Sequence, residues 1–400
     1  LGLGSLRSRA TANETNAEVA SRIHADILTV DTHVDTPMRM MGTDFEIGKR
    51  HDTDNGGGRV DLPRWKEGGL DAIFFAVFLS QRGREPEDNE RAKQRAIALF
   101  EAVHRSVKAN SDQAELAFAP DDAKRLEAAG KRAIYLGIEN GYAIGRDLAL
   151  LKTYYDLGAR YITLCHSSNN DICDSSTDDD AEHQGLSSFG EQVVAEMNRL
   201  GMMIDVSHIS DESFHDVIEL SKAPIIASHS SARALCNHPR NLDDDMLKSL
   251  AKNGGVIQLC ILGSYIKESV PNPARDEAIE ALRAEYGNYE DLSSERRAEM
   301  RDKWYAISKK YPRSTANVSD AVDHIDHIVD VVGIDHVGIG SDFDGGGGIR
   351  GCNDVSEMGN ITLELVRRGY NEEQIRKIWG GNLMRVFREV ERVAQAMNER

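Results

Sequence analysis

The stretch Phe189-Gly190-Glu191-Gln192-Val193-Val194-Ala195-Glu196-Met197-Asn198-Arg199-Leu200-Gly201-Met202-Met203-Ile204-Asp205-Val206-Ser207-His208 holds two periodicities in succession. Val193, Val194, Met197 and Leu200 recur at helical spacing and Gly201 supplies the stop. Met202 to His208 is then a short apolar run of the kind a buried parallel strand presents. Upstream, Tyr161 to His166 is a run of the same type, so the unit reads strand, helix, strand. Downstream the alternation repeats. Ser210 or Asp211 can cap a helix carrying Phe214, Val217, Ile218 and Leu220 before Pro224 opens the next strand.

Extending the pattern outward gives eight strand-like runs: Ile27 to His33, Leu70 to Leu79, Ile134 to Asn140, Tyr161 to His166, Met202 to His208, Pro224 to Ser230, Gly255 to Ile261 and His336 to Asp344. Eight strands separated by helices predict an α/β fold of the (β/α)8 TIM barrel type. An open doubly wound sheet fits less well, because no G-x-G-x-x-G follows the first strand. Residues 1–26 read as an N-terminal extension and helix, and 27–400 as a single catalytic barrel domain. Glu85 to Asn110 places Ala96, Leu99, Phe100, Val103 and Val107 on one helical face after the second strand. From about Ser264 to Arg313 the chain is dense in charge and too long for a plain loop. A helical excursion is expected there, between strands seven and eight, covering the barrel mouth, meeting a partner subunit or simply facing solvent.

Composition narrows the function. With 66 acidic against 48 basic residues in 400, the net charge is −18, which argues against a nucleic-acid partner. The longest apolar run, Ala72 to Leu79, is about half of what a bilayer crossing needs, so no transmembrane segment is expected. The polar C-terminal stretch likewise lacks a lipid-anchor signal. A soluble protein is expected, cytoplasmic, or periplasmic/secreted if the start at Leu1 in place of a methionine reflects removal of a leader, so the compartment stays open. The five cysteines form no C-x-x-C pair, and Cys165 and Cys260 read as small core residues.

A barrel of this kind collects its chemistry at the C-terminal ends of its strands. Strand one ends at His33-Val34-Asp35, strand three at Glu139, strand four at His166, strand five at His208, strand six at His229 and strand eight at Asp342. Singly, a His or Asp at a strand end is more often a hydrogen-bonded cap than a ligand; six together point to a metal centre. Strand alternation sends His33 and Asp35 to one side, where a nitrogen and an oxygen can share an ion. His208 and His229 close adjacent strands and can grip a second ion, with Glu139 placed to bridge both. Imidazole and carboxylate ligands without thiolate suit zinc, with manganese, cobalt and iron as alternatives. Two cations with few carboxylates would bring a bridging water's pKa near neutral, and Asp342 has the position of a base.

Asp31-Thr32-His33-Val34-Asp35-Thr36-Pro37, Gly137-Ile138-Glu139-Asn140, Arg160-Tyr161-Ile162-Thr163-Leu164-Cys165-His166 and Asp205-Val206-Ser207-His208 resemble the membrane (renal) dipeptidase family of zinc peptidases. Ser228-His229-Ser230-Ser231 with Pro239-Arg240-Asn241, then Gly338-Ile339-Gly340-Ser341-Asp342-Phe343-Asp344-Gly345, continue its motifs in order, from about residue 27 to 390. The resemblance implies an amidohydrolase-like barrel holding two zinc ions bridged by Glu139 and a hydroxide. His33, Asp35 and Glu139 would hold one ion, and Glu139, His208 and His229 the other. It further implies that His166 steadies the oxyanion or polarises the scissile carbonyl, that Asp342 shuttles the proton, and that Arg240 and Tyr265 contact the substrate. The substrate would be a dipeptide with a free C-terminal carboxylate, with a D-residue at that position left open, and the enzyme a homodimer. Met38 stands where the family often has an aromatic residue, leaving side-chain preference open. Two rivals remain at this point: a binuclear amidohydrolase acting on a non-peptide amide or lactone, and a biosynthetic accessory protein on the same fold. His324 and His327 are read as structural, at the end of the barrel opposite the mouth.

Overall fold

The computed structural model describes residues 14–399 apart from 43–44, 54–55, 269–270, 288–291 and 312–315. Residues 1–13 of the expected N-terminal extension therefore lie outside the described residues, as do parts of the expected excursion. The described part of the extension forms the helix Asn16–Asp26, closed at its start by a capping box between Thr15 and Glu18.

All eight expected strands are present: β1 (Val30–Val34), β2 (Ala72–Phe78), β4 (Arg132–Glu139), β5 (Ala159–Thr163), β6 (Met203–Asp205), β7 (Ile226–Ser230), β8 (Val256–Leu259) and β9 (Val337–Ile339). They pair in parallel in the order β1-β2-β4-β5-β6-β7-β8-β9. Past β9 the sheet closes on β1, where Asp35 N–H donates to Phe343 O at 2.8 Å and Asp342 N–H to His33 O at 3.0 Å. The molecule is thus a nearly closed (β/α)8 barrel. One strand was not expected: β3 (Ala114–Leu116) pairs only with β4, at that strand's N-terminal end, Arg132 to Ile134.

Alternation along each strand divides the core. Ile73, Phe75, Val77, Ile134, Leu136 and Ile138 face outward into the layer under the helices. Ala72, Phe74, Ala133, Tyr135 and Tyr161 belong to the second cluster, inside the barrel. Leu383, Met384, Phe387 and Val390 of the C-terminal helix Asn382–Asn398 join this inner cluster and plug the lumen from below. The side chains that follow Phe74 and Tyr135 on the same faces, Phe78 and Glu139, pair in register at the upper rim.

The expected helices also form. Ser188–Leu200 starts on the Ser187 side chain and stops at Gly201 in the left-handed conformation. Ser210 is the cap of Asp211–Leu220, and the long amphipathic helix is Pro86–Ala109. The excursion is helical in its described parts, with Pro273–Tyr286 and Ser294–Lys310. Its second helix leans on the rim, where Tyr305 meets Gly56 in the loop after β1. Among the described residues no helix is long and apolar enough to cross a membrane.

Candidate active site

Seven side chains expected to converge, from six strand ends, do so at the upper rim. His33 and Asp35 flank outward-facing Val34, and His33 Nε2 lies 3.5 Å from Asp35 Oδ2. Glu139 sits between two groups. Its Oε2 is 3.4 Å from His33 Nε2, whereas its Oε1 is 3.1 Å from His208 Nε2 and 3.5 Å from His229 Nε2. The Nε2 atoms of His208 and His229 are themselves 2.9 Å apart. His166 Nε2 stands 3.7 Å from Glu139 Oε1, and its side chain, 26% exposed, is the most open of the cluster. Asp342 groups with His33 and Asp35.

Three of these residues lie beyond the strand ends expected for them. β5, β6 and β9 stop at Thr163, Asp205 and Ile339, leaving His166, His208 and Asp342 on the turns that follow. His208 and Asp342 adopt φ of 75° and 61°, left-handed conformations that aim a turn residue back over the lumen. The three amides of Gly345, Gly346 and Gly347 all donate to Asp342 O, at 3.2, 3.1 and 2.7 Å.

The cluster fits bound cations. Among the described residues, the buried atoms His33 Nε2 and Asp35 Oδ1 have no hydrogen-bond partner. Imidazole nitrogens and carboxylate oxygens, the donor set that a zinc-like cation takes, converge there within 4.8 Å of one another in three groups of three. Burial, and then the charge of Glu139, push Asp35 up to about 7, whereas His33 is held well above the usual imidazole value, its burial outweighed by Tyr161, Glu139 and Asp35. Burial and Asp35 likewise hold Asp342 well above the carboxylate range. Burial keeps His208 and His229 well below the usual imidazole value, hence neutral, as ligands must be.

A buried cation stands beside this cluster. Arg240, 3% exposed, donates from Nη2 to His229 O at 3.1 Å and from Nη1 to Ser230 Oγ at 3.4 Å. Its guanidinium lies 5.3 Å from the centre of the Tyr265 ring, and it has no acidic partner among the described residues. Its Nε is also unpartnered.

The family model for membrane dipeptidase, peptidase family M19, matches residues 17–400. The chain belongs to the membrane dipeptidase family. It is accordingly a metal-dependent peptidase, and the converging imidazoles and carboxylates are where such an enzyme would hold its metal. Among curated dipeptidases, "Dipeptidase tcpJ" of Claviceps purpurea is 33% identical over 357 residues, covering 88% of this chain and 74% of that protein. Among solved structures, the probable dipeptidase PvdM of Pseudomonas aeruginosa superposes with a TM-score of 0.81 at 33% identity, covering 95% of this chain and 99% of that one. A metallo peptidase of Rhodobacter sphaeroides, liganded with a phosphinate mimic of the dipeptide L-Ala-D-Ala, gives 0.73 at 25% identity, covering 91% and 99%.

Sequence reasoning missed the residues that hold the dipeptidase cluster in place. Tyr161 Oη accepts from His33 Nδ1 at 2.8 Å while donating to Thr32 O at 3.2 Å. Gly137 is a glycine because any β-carbon there would overlap the Tyr161 ring. Phe78 packs edge-on to His166 with ring centres 4.8 Å apart. Cys260, read as a core residue, is buried and also directs its thiol at Asp342 Oδ2, 3.9 Å away. Such residues sit within or just beyond apolar runs, where they look like packing. The Cys173 and Cys236 thiols are buried and free as well.

His324 corrects the expectation about its place. Its Nδ1 accepts from Ala232 N–H at 3.1 Å and its Nε2 donates to Ile266 O at 2.9 Å. It ties together the segments that follow β7 and β8, on the mouth side of the barrel. Its role is structural, as expected, but not at the opposite end.

Proposed function

We propose that this chain is a two-zinc dipeptidase that hydrolyses dipeptides carrying a free C-terminal carboxylate. One ion would be held by His33, Asp35 and Glu139, the other by Glu139, His208 and His229. When bound, the pair would polarise the scissile carbonyl and acidify the attacking water. The chain's own residues account for the remaining tasks. Arg240 receives the substrate carboxylate, with Tyr265 packed against the guanidinium as the wall of that pocket. His166, at the open side of the cluster, donates a hydrogen bond to the oxygen of the tetrahedral intermediate. Asp342 takes the proton of the attacking water and returns it to the leaving amine.

The observation that carries this reading is Arg240, a guanidinium buried beside the ligand cluster without an acidic partner among the described residues. A buried charge is costly unless compensated, and a planar donor fork matches a carboxylate. The dipeptide mimic bound to the Rhodobacter sphaeroides relative supports the same substrate class and acceptance of a D-residue at the C-terminal position. A homodimer is part of the proposal by family resemblance, and sedimentation or gel filtration tests it.

Two measurements test the function. Hydrolysis of a dipeptide is compared with that of its C-terminally amidated form; the free acid should be strongly preferred, and Arg240→Ala should abolish the preference by raising KM for the acid on the order of 10²-fold. Equal turnover of both forms in the wild type removes Arg240 from its role, and turnover of neither points instead to an amidohydrolase of non-peptide bonds. Asp342→Asn should keep its metal content and lose turnover; peptidase activity retained by that variant removes Asp342 from its role.

A further inference from the structure

We propose that Asp205, acting through the hydroxyl of Ser228, is the positioning residue that sets the tautomer of His229 and keeps its Nε2 lone pair facing the metal cluster. The inference rests on the assignment of His229 as a ligand made above. It follows from counting hydrogens. Ser228 Oγ lies 2.6 Å from Asp205 Oδ2 and 2.8 Å from His229 Nδ1. A hydroxyl has one hydrogen, and both Asp205 oxygens act as acceptors, Oδ1 for the amides of Ser207 and Ser228 and Oδ2 for the Thr163 hydroxyl. That hydrogen therefore points to Asp205, and Ser228 Oγ must accept from His229 Nδ1–H. A neutral imidazole has one N–H, so Nε2 is left bare, 3.5 Å from Glu139 Oε1.

Asp205 is fully buried and its carboxylate has no cationic partner among the described residues. Its Oδ1 accepts from the amides of Ser207 and Ser228, at 3.0 and 2.8 Å, and its Oδ2 also accepts from the Thr163 hydroxyl. The bond from the Ser228 amide helps join β6 to β7, which share a single ladder pair, Asp205 with Ile226. An asparagine oxygen would serve those two amides equally well. What asparagine cannot do is accept from Ser228. In Asp205→Asn the side-chain amide would donate to Ser228 Oγ and Thr163 Oγ1, the Ser228 hydrogen would turn to His229 Nδ1, and the imidazole proton would move to Nε2, against the ion. The three imidazoles are thus not equivalent. His33 is fixed by the neutral Tyr161 phenol, His229 by a carboxylate-backed hydroxyl, and His208 Nδ1 has no partner among the described residues.

The test combines nitrogen NMR of the histidine side chains with zinc-binding competition against a chelator in wild type, Asp205→Asn and Ser228→Ala. His229 should show the Nδ1–H form in the wild type and Nε2–H in Asp205→Asn. Ser228→Ala, which frees the tautomer without inverting it, should weaken one zinc by about 10–100-fold. Asp205→Asn should weaken the same ion further and leave the other in place. A merely structural role would lower the melting temperature of both variants while leaving their zinc affinities at wild-type values, and that result overturns the proposal. Should Asp205→Asn not fold, an Nε2–H form in the wild type or unchanged zinc affinity in Ser228→Ala overturns it. Wild type binding fewer than two zinc ions refutes the two-ion reading instead, and the tautomer still decides the relay.

Discussion

Gly345 stands between two carboxylates. A β-carbon there would overlap Asp35 Oδ2 and Asp342 Oδ1 together, so even alanine must displace one of them. The backbone does not forbid the change, because Gly345 is absent from the positive-φ positions. The constraint is the site itself. Gly345→Ala should therefore fold normally and lose activity, since misplacing a reacting group by about 1 Å costs on the order of 10²-fold in rate. Steady-state kcat together with an unshifted melting temperature checks this. Wild-type turnover in the alanine variant would show that the two carboxylates have slack the packing denies. The same glycine illustrates what sequence alone conveys. The run Gly345 to Gly348 announces a tight turn after Asp342, but that the first of them exists to leave room for carboxylates 310 and 3 positions away in the chain is visible only once β1 and β9 adjoin.

At the scale of elements, His324 links three of them: the helix Val318–Val332 on which it sits, the turn after β7 and the short helix Gly263–Ile266 after β8. Burial lowers its pKa, and His327 adds to this, against the opposing pull of the Ile266 carbonyl, Asp323 and Asp320; protonation would also place a hydrogen on Nδ1 against the Ala232 amide. The unfolded chain binds that proton more readily than the folded one. Stability from this residue is therefore present above the unfolded value and falls as pH drops below about 6.5. His324→Phe should unfold with about 1–3 kcal/mol less stability at pH 8, from the orphaned amide and carbonyl. It should also lose less than wild type between pH 7 and 5.5; parallel curves of stability against pH would rule the linkage out. Elements were legible where their burial is complete. Parallel strands hidden on both faces read as apolar runs, which is why eight were expected and eight are found. The three-residue β3 is too short to carry a period. His166, His208 and Asp342 read as strand ends and not as turn residues; for His208 and Asp342 the reason is that left-handed non-glycine backbone leaves no pattern in composition. Asp205 and Ser228 stayed hidden because a buried polar residue in a strand announces that it is paired, not with whom.

The whole molecule separates stability from chemistry along the barrel axis. From the lower end, Phe387 of the C-terminal helix meets Tyr135 edge-on at 6.0 Å, Tyr135 stacks on Phe74 at 4.6 Å, and Phe74 lies 5.7 Å from Tyr161, whose hydroxyl holds His33. An aromatic column thus runs up the lumen from the plug to the metal cluster. Its lower end lies away from the site, whereas its upper end orients His33, a proposed ligand. Phe387→Ala opens a cavity at the bottom and should cost about 3–5 kcal/mol, read as a lowered urea midpoint at unchanged slope. Metal content and KM should remain those of the wild type. Tyr161→Phe keeps the column's packing and removes only the acceptor of His33 Nδ1–H, so the balance should reverse: a small change in urea midpoint with about 10–100-fold weaker metal binding. Weaker metal binding in Phe387→Ala would mean that the column transmits displacement from plug to rim, and that barrel floor and barrel mouth do not divide their tasks as the packing indicates.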